Sequence, residues 1–441
     1  MLRLPVSNPK KEENLMSESL VLLLVMMVLI LLDTPITYSL ALAGVAFFMM
    51  HGLPGVQYVL KLAGGVDIFT LLAAPLFIFC GNIMNSGGIT DRIFNFANSL
   101  VGHIKGGLGH VNVLASTMFA GMSGSAIADA AGLGPIEIKA MTDHGFDMDF
   151  SISVTAASAV IGPIIPPSTI MIVYGVTAEV SISRMFLGGV LPGLLIAAAE
   201  MGLVYWYAIR NDYPRNGSFS LKNVWLEFRH SVLALMTAVI ILGGILGGIF
   251  TATEAGAFAS VYAVIVAVLI NKEMNWKDVW HTLCETALTS GTILMLVGTA
   301  SVFGWCLVFD QVPQKIAALL VSLTSNKTLI LLMFSLVYLF LGMIMEATAI
   351  VVTTVPIVVP LFKLLGIDLV YFGVLVCIIM SIGTITPPVG TAMFVLCKMT
   401  KVPIEQFTRA VLPWLLLLVL IVVLLVLFPW LITWLPNALI H

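Results

Sequence analysis

Ile161-Gly162-Pro163-Ile164-Ile165-Pro166-Pro167-Ser168 and Ile382-Gly383-Thr384-Ile385-Thr386-Pro387-Pro388-Val389-Gly390 decide how this chain reads. Each is a Gly/Pro break inside a run apolar enough to be buried in a membrane. One such break would be a kinked helix. The same break in corresponding positions of two halves points to the central site of a transporter. The offset is 383 minus 162, or 221 residues, and it holds from position 121 to 167 without a gap. Gly121, Met122, Ala126, Ala128, Pro135, Ile136, Gly145, Asp147, Ile161, Gly162, Ile164, Pro166 and Pro167 all recur. These are 13 of 47 positions, concentrated on Gly, Pro and Asp.

Composition sets the class. Of the 441 residues 60% are hydrophobic and 10% charged, with a mean hydropathy of +1.08; a soluble domain carries about 25% charged residues. The chain is therefore an all-α polytopic membrane protein embedded in a lipid bilayer. A net charge of -3 with no basic run gives nucleic-acid binding nothing to rest on. The five cysteines lack CxxC spacing and read as packing residues. No cofactor motif is present.

Hydropathy places apolar runs at 20–32, 36–50, 68–84, 111–141, 150–178, 185–209, 232–250, 255–270, 283–309, 329–365, 370–396 and 410–434. Whether 20–50 makes one span or two is open. Arg210, Arg215, Lys222 and Arg229 form the densest basic group and are placed in the cytoplasm. Lys222-Asn223-Val224-Trp225 recurs as Lys277-Asp278-Val279-Trp280, and both resemble interfacial helices with a Trp anchor just ahead of a span. Counting spans outward, the first Pro-Pro segment runs outward and the second inward. The repeat is inverted, Lys398, Lys401 and Arg409 fall inside, and the C-terminus is periplasmic.

Backbone leaving helical geometry at membrane depth exposes polar groups that protein, water or a ligand must satisfy. Around Gly121, Ser123 and Ser125, and around Gly162 and Ile164, the chain offers neutral hydroxyl and carbonyl oxygens suited to sodium. Gly342 and Thr348 with Gly383, Thr384 and Thr386 take the same roles in the second half. No Lys or Arg lies mid-run, so an anionic substrate requires cotransported cations and helix dipoles. Asp129 and Glu346, close to the breaks, are candidate charge carriers or half-helix caps. A GxSG reading of Gly121-Met122-Ser123-Gly124 suggests an intramembrane serine protease, but that chemistry needs a histidine near the serine. All seven histidines fall at segment ends or in loops.

At Gly121-Met122-Ser123-Gly124-Ser125-Ala126-Ile127-Ala128-Asp129, at the 155–168 and 383–390 stretches, and at Gly248-Ile249-Phe250-Thr251-Ala252-Thr253-Glu254-Ala255, the sequence resembles the large membrane subunit of the tripartite ATP-independent periplasmic (TRAP) transporters. The resemblance implies an elevator-type ion transporter fold with two re-entrant hairpins and two discontinuous helices. It implies sodium-coupled import, into a bacterial cell across the inner membrane, of a carboxylate-bearing organic solute such as a C4-dicarboxylate or sugar acid. It also implies two partners, a small four-helix membrane subunit and a periplasmic substrate-binding protein. The runner-up is a binding-protein-independent divalent-anion/sodium symporter.

By position, sodium falls to Ser123 and Ser125 with the Gly162 break, and to Thr348 with the break from Gly383 to Thr386. Substrate falls to Ser125, Pro166, Pro167, Thr348, Pro387, Pro388 and Gly390. The expected divisions are a tail (1–16), scaffold helices (17–67), a first transport repeat (68–178; hairpin 111–141, broken helix 150–178), further scaffold and interfacial helices (179–282), and a second repeat with the last span (283–441; hairpin 329–365, broken helix 370–397).

Overall fold

A computed structural model describes residues 24–29, 32, 34–86, 89–312, 315, 324 and 326–440. The expected tail at 1–16 and most of the polar stretch between 310 and 327 lie outside the described residues. Every regular element described is helical. Among the described residues seven helices are long and apolar enough to cross a membrane: Phe69–Ser86, Ile182–Arg210, Leu221–Ile245, Ala252–Ile270, Trp276–Phe309, Ala347–Leu365 and Ile404–Leu427. In hydrocarbon a helix satisfies its own backbone, which is why long apolar runs take this form.

The chain divides into two compact bodies. One comprises the described residues of Met1–Phe69, Gly291–Lys327 and Thr348–Leu369. Its helices meet at small residues. A Cβ at Gly44 would lie 3.2 Å from Tyr58 and from Val302, one at Gly65 would lie 2.5 Å from Ser301, and one at Gly304 would lie 2.5 Å from Pro356. Close approach of backbones is how apolar helices associate where no water drives them together.

The other body comprises Thr70–Ser290, Thr328–Ala347 and Val370–His441. Within it, Ala73–Ser86 packs on Ala252–Val264, Gly107–Ser123 packs on Ile182–Arg210, and Met148–Ala159 packs on Ile404–Leu427. Several loops gather at one end. Tyr213 Oη donates to Asp147 at 2.7 Å, Lys105 Nζ to Asp212 at 2.6 Å, and Gln406 to Asp149 at 2.5 Å. The Asn216 amide donates to the Gly102 carbonyl at 2.8 Å, and Arg92 reaches Asn271 and Glu273. Burial pushes the Tyr213 phenol up to about 12, and the hydrogen bond and charge of Lys105 hold Asp212 below the usual carboxylate range.

At the far end of Ile182–Arg210, Arg184 meets Asn437 of the C-terminal helix Trp430–Leu439. Twenty-nine residues of helix, roughly 43 Å, separate those two ends.

Two expectations change. Lys222–Trp225 and Lys277–Trp280 do not form separate interfacial helices. They are the first turns of the continuous helices Leu221–Leu246 and Trp276–Phe309, because no Gly, Pro or cap interrupts them before the apolar run begins. The last span also shifts. It runs over Ile404–Leu427 and stops before Pro429, which caps a short separate helix, Trp430–Leu439.

Candidate functional site

The first half builds its break from two stretches that touch. Helix Gly107–Ser123 ends at Gly124, which is left-handed at φ 61°. Only glycine takes that angle at low cost. Ser125 then caps helix Ala126–Gly132, its hydroxyl accepting from the Ala128 amide at 3.4 Å. Opposite, Met148–Ala159 stops. The chain turns through 160–167, with a cis Pro166–Pro167 bond, and Ser168 caps Thr169–Thr177 by accepting from the Met171 amide at 3.3 Å.

The two turns interlock. A Cβ at Gly124 would overlap the Pro167 carbonyl, and one at Gly162 would lie 3.1 Å from the Ser125 carbonyl. One at Gly121 would lie 3.9 Å from the Pro166 carbonyl, whereas the Ile164 carbonyl packs against Gly189 of the neighbouring helix. Ser123 Oγ is buried with no hydrogen-bond partner. A buried hydroxyl left unpaired costs about 1–3 kcal/mol. Ser123 and Ser125 thus flank Gly124, whose turn packs on the second stretch at Pro167 and Gly162.

The second break repeats the backbone plan within the second body. A Cβ at Gly383 would lie 2.6–2.8 Å from the backbone of Gly342. The Val389 and Gly390 amides both donate to the Met343 carbonyl at 3.2 Å, and the Pro387–Pro388 bond is cis. Thr384 Oγ1 donates to Ser381 at 2.6 Å and Thr386 Oγ1 to Ile382 at 2.7 Å, while Gly390, at φ 41°, faces the carbonyls of Thr384 and Thr386. Glu346 is exposed in this body. Thr348, 7% exposed, belongs to the other.

Sequence reading missed a polar layer behind the first break. Asn112 Nδ2 donates to Thr155 Oγ1 at 2.6 Å, Ser158 Oγ donates to Asn112 Oδ1 at 2.7 Å, and Ser116 Oγ donates to Ser158 at 3.1 Å. Asp129 lies beside Ser116, and Glu137 and Glu200 lie within electrostatic reach of Asp129. The glutamates were legible only as acids in apolar runs, a costly placement in a membrane and hence a functional signal. His110 is buried in the first turn of its helix. Thirteen residues of helix, roughly 20 Å, separate it from Ser123, so it cannot act as that serine's base.

Long apolar helices and paired backbone breaks are those of a multi-span membrane transporter, and a family model and sequence relatives carry that class to a family. The described fold resembles the YdaH transporter of Alcanivorax borkumensis with a TM-score of 0.62 at 17% identity, covering 85% of this chain and 88% of that one. Residues 23–431 match the family model for the tripartite ATP-independent periplasmic transporter DctM component. The sialic acid TRAP transporter large permease protein SiaM of Vibrio cholerae is 40% identical over 90% of this chain and 93% of its own. The sialic acid TRAP transporter permease protein SiaT of Haemophilus influenzae is 39% identical over 95% of this chain and 68% of its own. Relatives at 37% and 34% identity are named for 2,3-diketo-L-gulonate and C4-dicarboxylates. The chain belongs to the DctM family of TRAP transporter large permease subunits; it is a transporter permease and not an enzyme.

Proposed function

We propose that the chain imports a carboxylate-bearing organic acid across the bacterial inner membrane, driven by sodium, as the large subunit of a tripartite system. A small membrane subunit completes the permease, and a periplasmic binding protein delivers and selects the solute. The observation that carries the sodium reading is the buried Ser123 hydroxyl with no hydrogen-bond partner, two residues ahead of the Ser125 carbonyl that packs against Gly162. Neutral oxygens hold sodium loosely enough to release it, and the absence of a lysine or arginine there leaves cations to balance the substrate's charge.

Gly342, Gly383, Thr384 and Thr386 supply the equivalent oxygens in the second half, and Pro166, Pro167, Pro387, Pro388 and Gly390 line the path of the solute. The two halves run in opposite senses, with hairpins and broken helices carrying the load past a scaffold. The loop end that joins Lys105, Asp147, Tyr213 and Gln406 is cytoplasmic, and the Trp430–Leu439 end is periplasmic; the basic residues Arg210, Arg215, Lys398, Lys401 and Arg409 near those loops support that orientation.

The test is uptake into vesicles containing the chain and its small subunit, with the cognate binding protein outside. An inward sodium gradient should be required. Equal uptake on a proton gradient with sodium absent would overturn the assignment.

A further inference from the structure

Glu137 is 1% exposed, Glu200 is 0% exposed and Asp129 is 1% exposed. No carboxylate oxygen of Glu137 or Glu200 has a hydrogen-bond partner, Asp129 has the Ser116 hydroxyl beside it, and no ion pair among the described residues includes any of the three. They come from three helices, Ala126–Gly132, Gly134–Asp143 and Ile182–Arg210, and Glu200 stands roughly 15 Å of helix from Arg210. Three buried negative charges within electrostatic reach of Asp129 and without a cation partner cannot all persist.

The repeat does not conserve these acids: at the offset of 221, Ile350 and Val358 stand where the first half has Asp129 and Glu137. Nor do the acids converge on one metal-sized point, since no group of three ligating side chains among the described residues could hold a metal ion. A proton needs only one carboxylate.

Polar groups lie between the loop end and the cluster. A cavity of about 430 Å³ is lined by Asp149, Ser153, Tyr207 and Arg409 among others. Thr155 and Ser158 follow Ser153 along the same helix and bond to Asn112 and Ser116. Tyr207 lies two turns beyond Glu200. On the packed elements, buried His110 is the nearest neutral titratable group by sequence to that polar chain, its Nε2 unpartnered; Lys139, Asp143, Asp149, Arg210 and Lys398 are exposed.

We propose that Glu137 and Glu200 carry exchangeable protons, a second coupling ion beside the sodium assigned to the first break. Each carboxylate takes one proton from water and later returns it to water, with no other bond made or broken. The proposal rests on the sodium-import reading for its coupling, but protonation itself can be read without transport.

The first arm is an infrared difference spectrum, at neutral pH and without sodium, between reconstituted wild type and Glu137→Gln/Glu200→Gln. The carboxylic-acid carbonyl band should be lost in the variant. Loss of carboxylate bands in its place overturns the proposal. Should the double variant not fold, each single variant and the wild type's own difference spectrum between neutral and alkaline pH give the same reading.

The second arm is uptake by the complete system under a fixed inward sodium gradient, with and without an inward proton gradient of about one pH unit. Wild-type accumulation should rise by up to about tenfold per coupled proton. Glu137→Gln and Glu200→Gln should each lose part of that increment. An equal rise in both variants, or no rise in a wild type that shows the acid band, overturns exchange. No uptake under sodium at all would sink the sodium reading, and the infrared arm would still decide protonation.

Discussion

Behind the first break stand Asn112, Ser116, Asp129, Glu137, Thr155, Ser158 and Glu200. At the same offset the second half has Met333, Val337, Ile350, Val358, Val376, Ile379 and Ile421. The breaks themselves keep Gly162 and Gly383, the paired prolines, and a glycine-to-backbone contact across the turn. Backbone geometry is thus common to both halves, while the side chains at these matched positions are polar in the first and apolar in the second. That asymmetry is what the ion-handling role proposed above for the polar residues would leave.

The glycine contacts offer the largest test of that shared geometry. Gly383→Ala drives a Cβ to 2.6–2.8 Å from Gly342 backbone, which cannot yield as a side-chain tip can, whereas Gly162→Ala meets the Ser125 carbonyl at 3.1 Å. Overpacking of the first kind costs about 1–3 kcal/mol or more. Thermal unfolding in detergent should show the larger loss for Gly383→Ala, and equal losses would mean the two contacts are not as unlike as described.

Next in size is the polar layer. Asn112→Ala strands Thr155 and Ser158 in a buried site, with an expected loss of about 1–3 kcal/mol. A double-mutant cycle with Ser158→Ala should show coupling; additive losses would dissolve the network. At the second half's matched position, Met333→Ala in a cycle with Ile379→Ala provides the apolar reference.

Ser123→Ala separates ligand binding from stability. It removes an orphaned buried oxygen, so stability should hold or improve slightly while half-maximal uptake demands more sodium. A stability loss without a change in sodium dependence would make Ser123 a packing residue.

The smallest effect belongs to the loop end. Lys105 holds Asp212 in its ionised form, so the pair's contribution is present at neutral pH, above the carboxylate's unfolded value, and is lost as pH falls through its depressed folded value. Both groups reach solvent, so Lys105→Ala should lower the melting temperature barely at neutral pH and not at all once Asp212 is protonated.

Much of this was legible because it is local. Gly124, Gly162 and the proline pairs announce breaks in any window, and apolar runs announce spans by length. The Lys222–Trp225 motif misled because charge and a Trp mark an interface, but nothing in those residues ends a helix. Glu137 and Glu200 went unread for a different reason. An acid in a run can snorkel, cap or pair, and only packing of separate helices removes all three options. Thr348 and Glu346 illustrate the converse. Four residues of the 221 match, Gly342, Met343, Ala347 and Ala349, surround them, yet the two positions fall in different bodies with different exposure.

The most direct measurement of the central claim is sodium binding to the purified, reconstituted chain at equilibrium, compared between wild type, Ser123→Ala and Thr386→Ala. The account predicts saturable binding in the wild type, weakened by Ser123→Ala and affected less by Thr386→Ala, whose hydroxyl already bonds to Ile382. Sodium binding unchanged in both variants would contradict it.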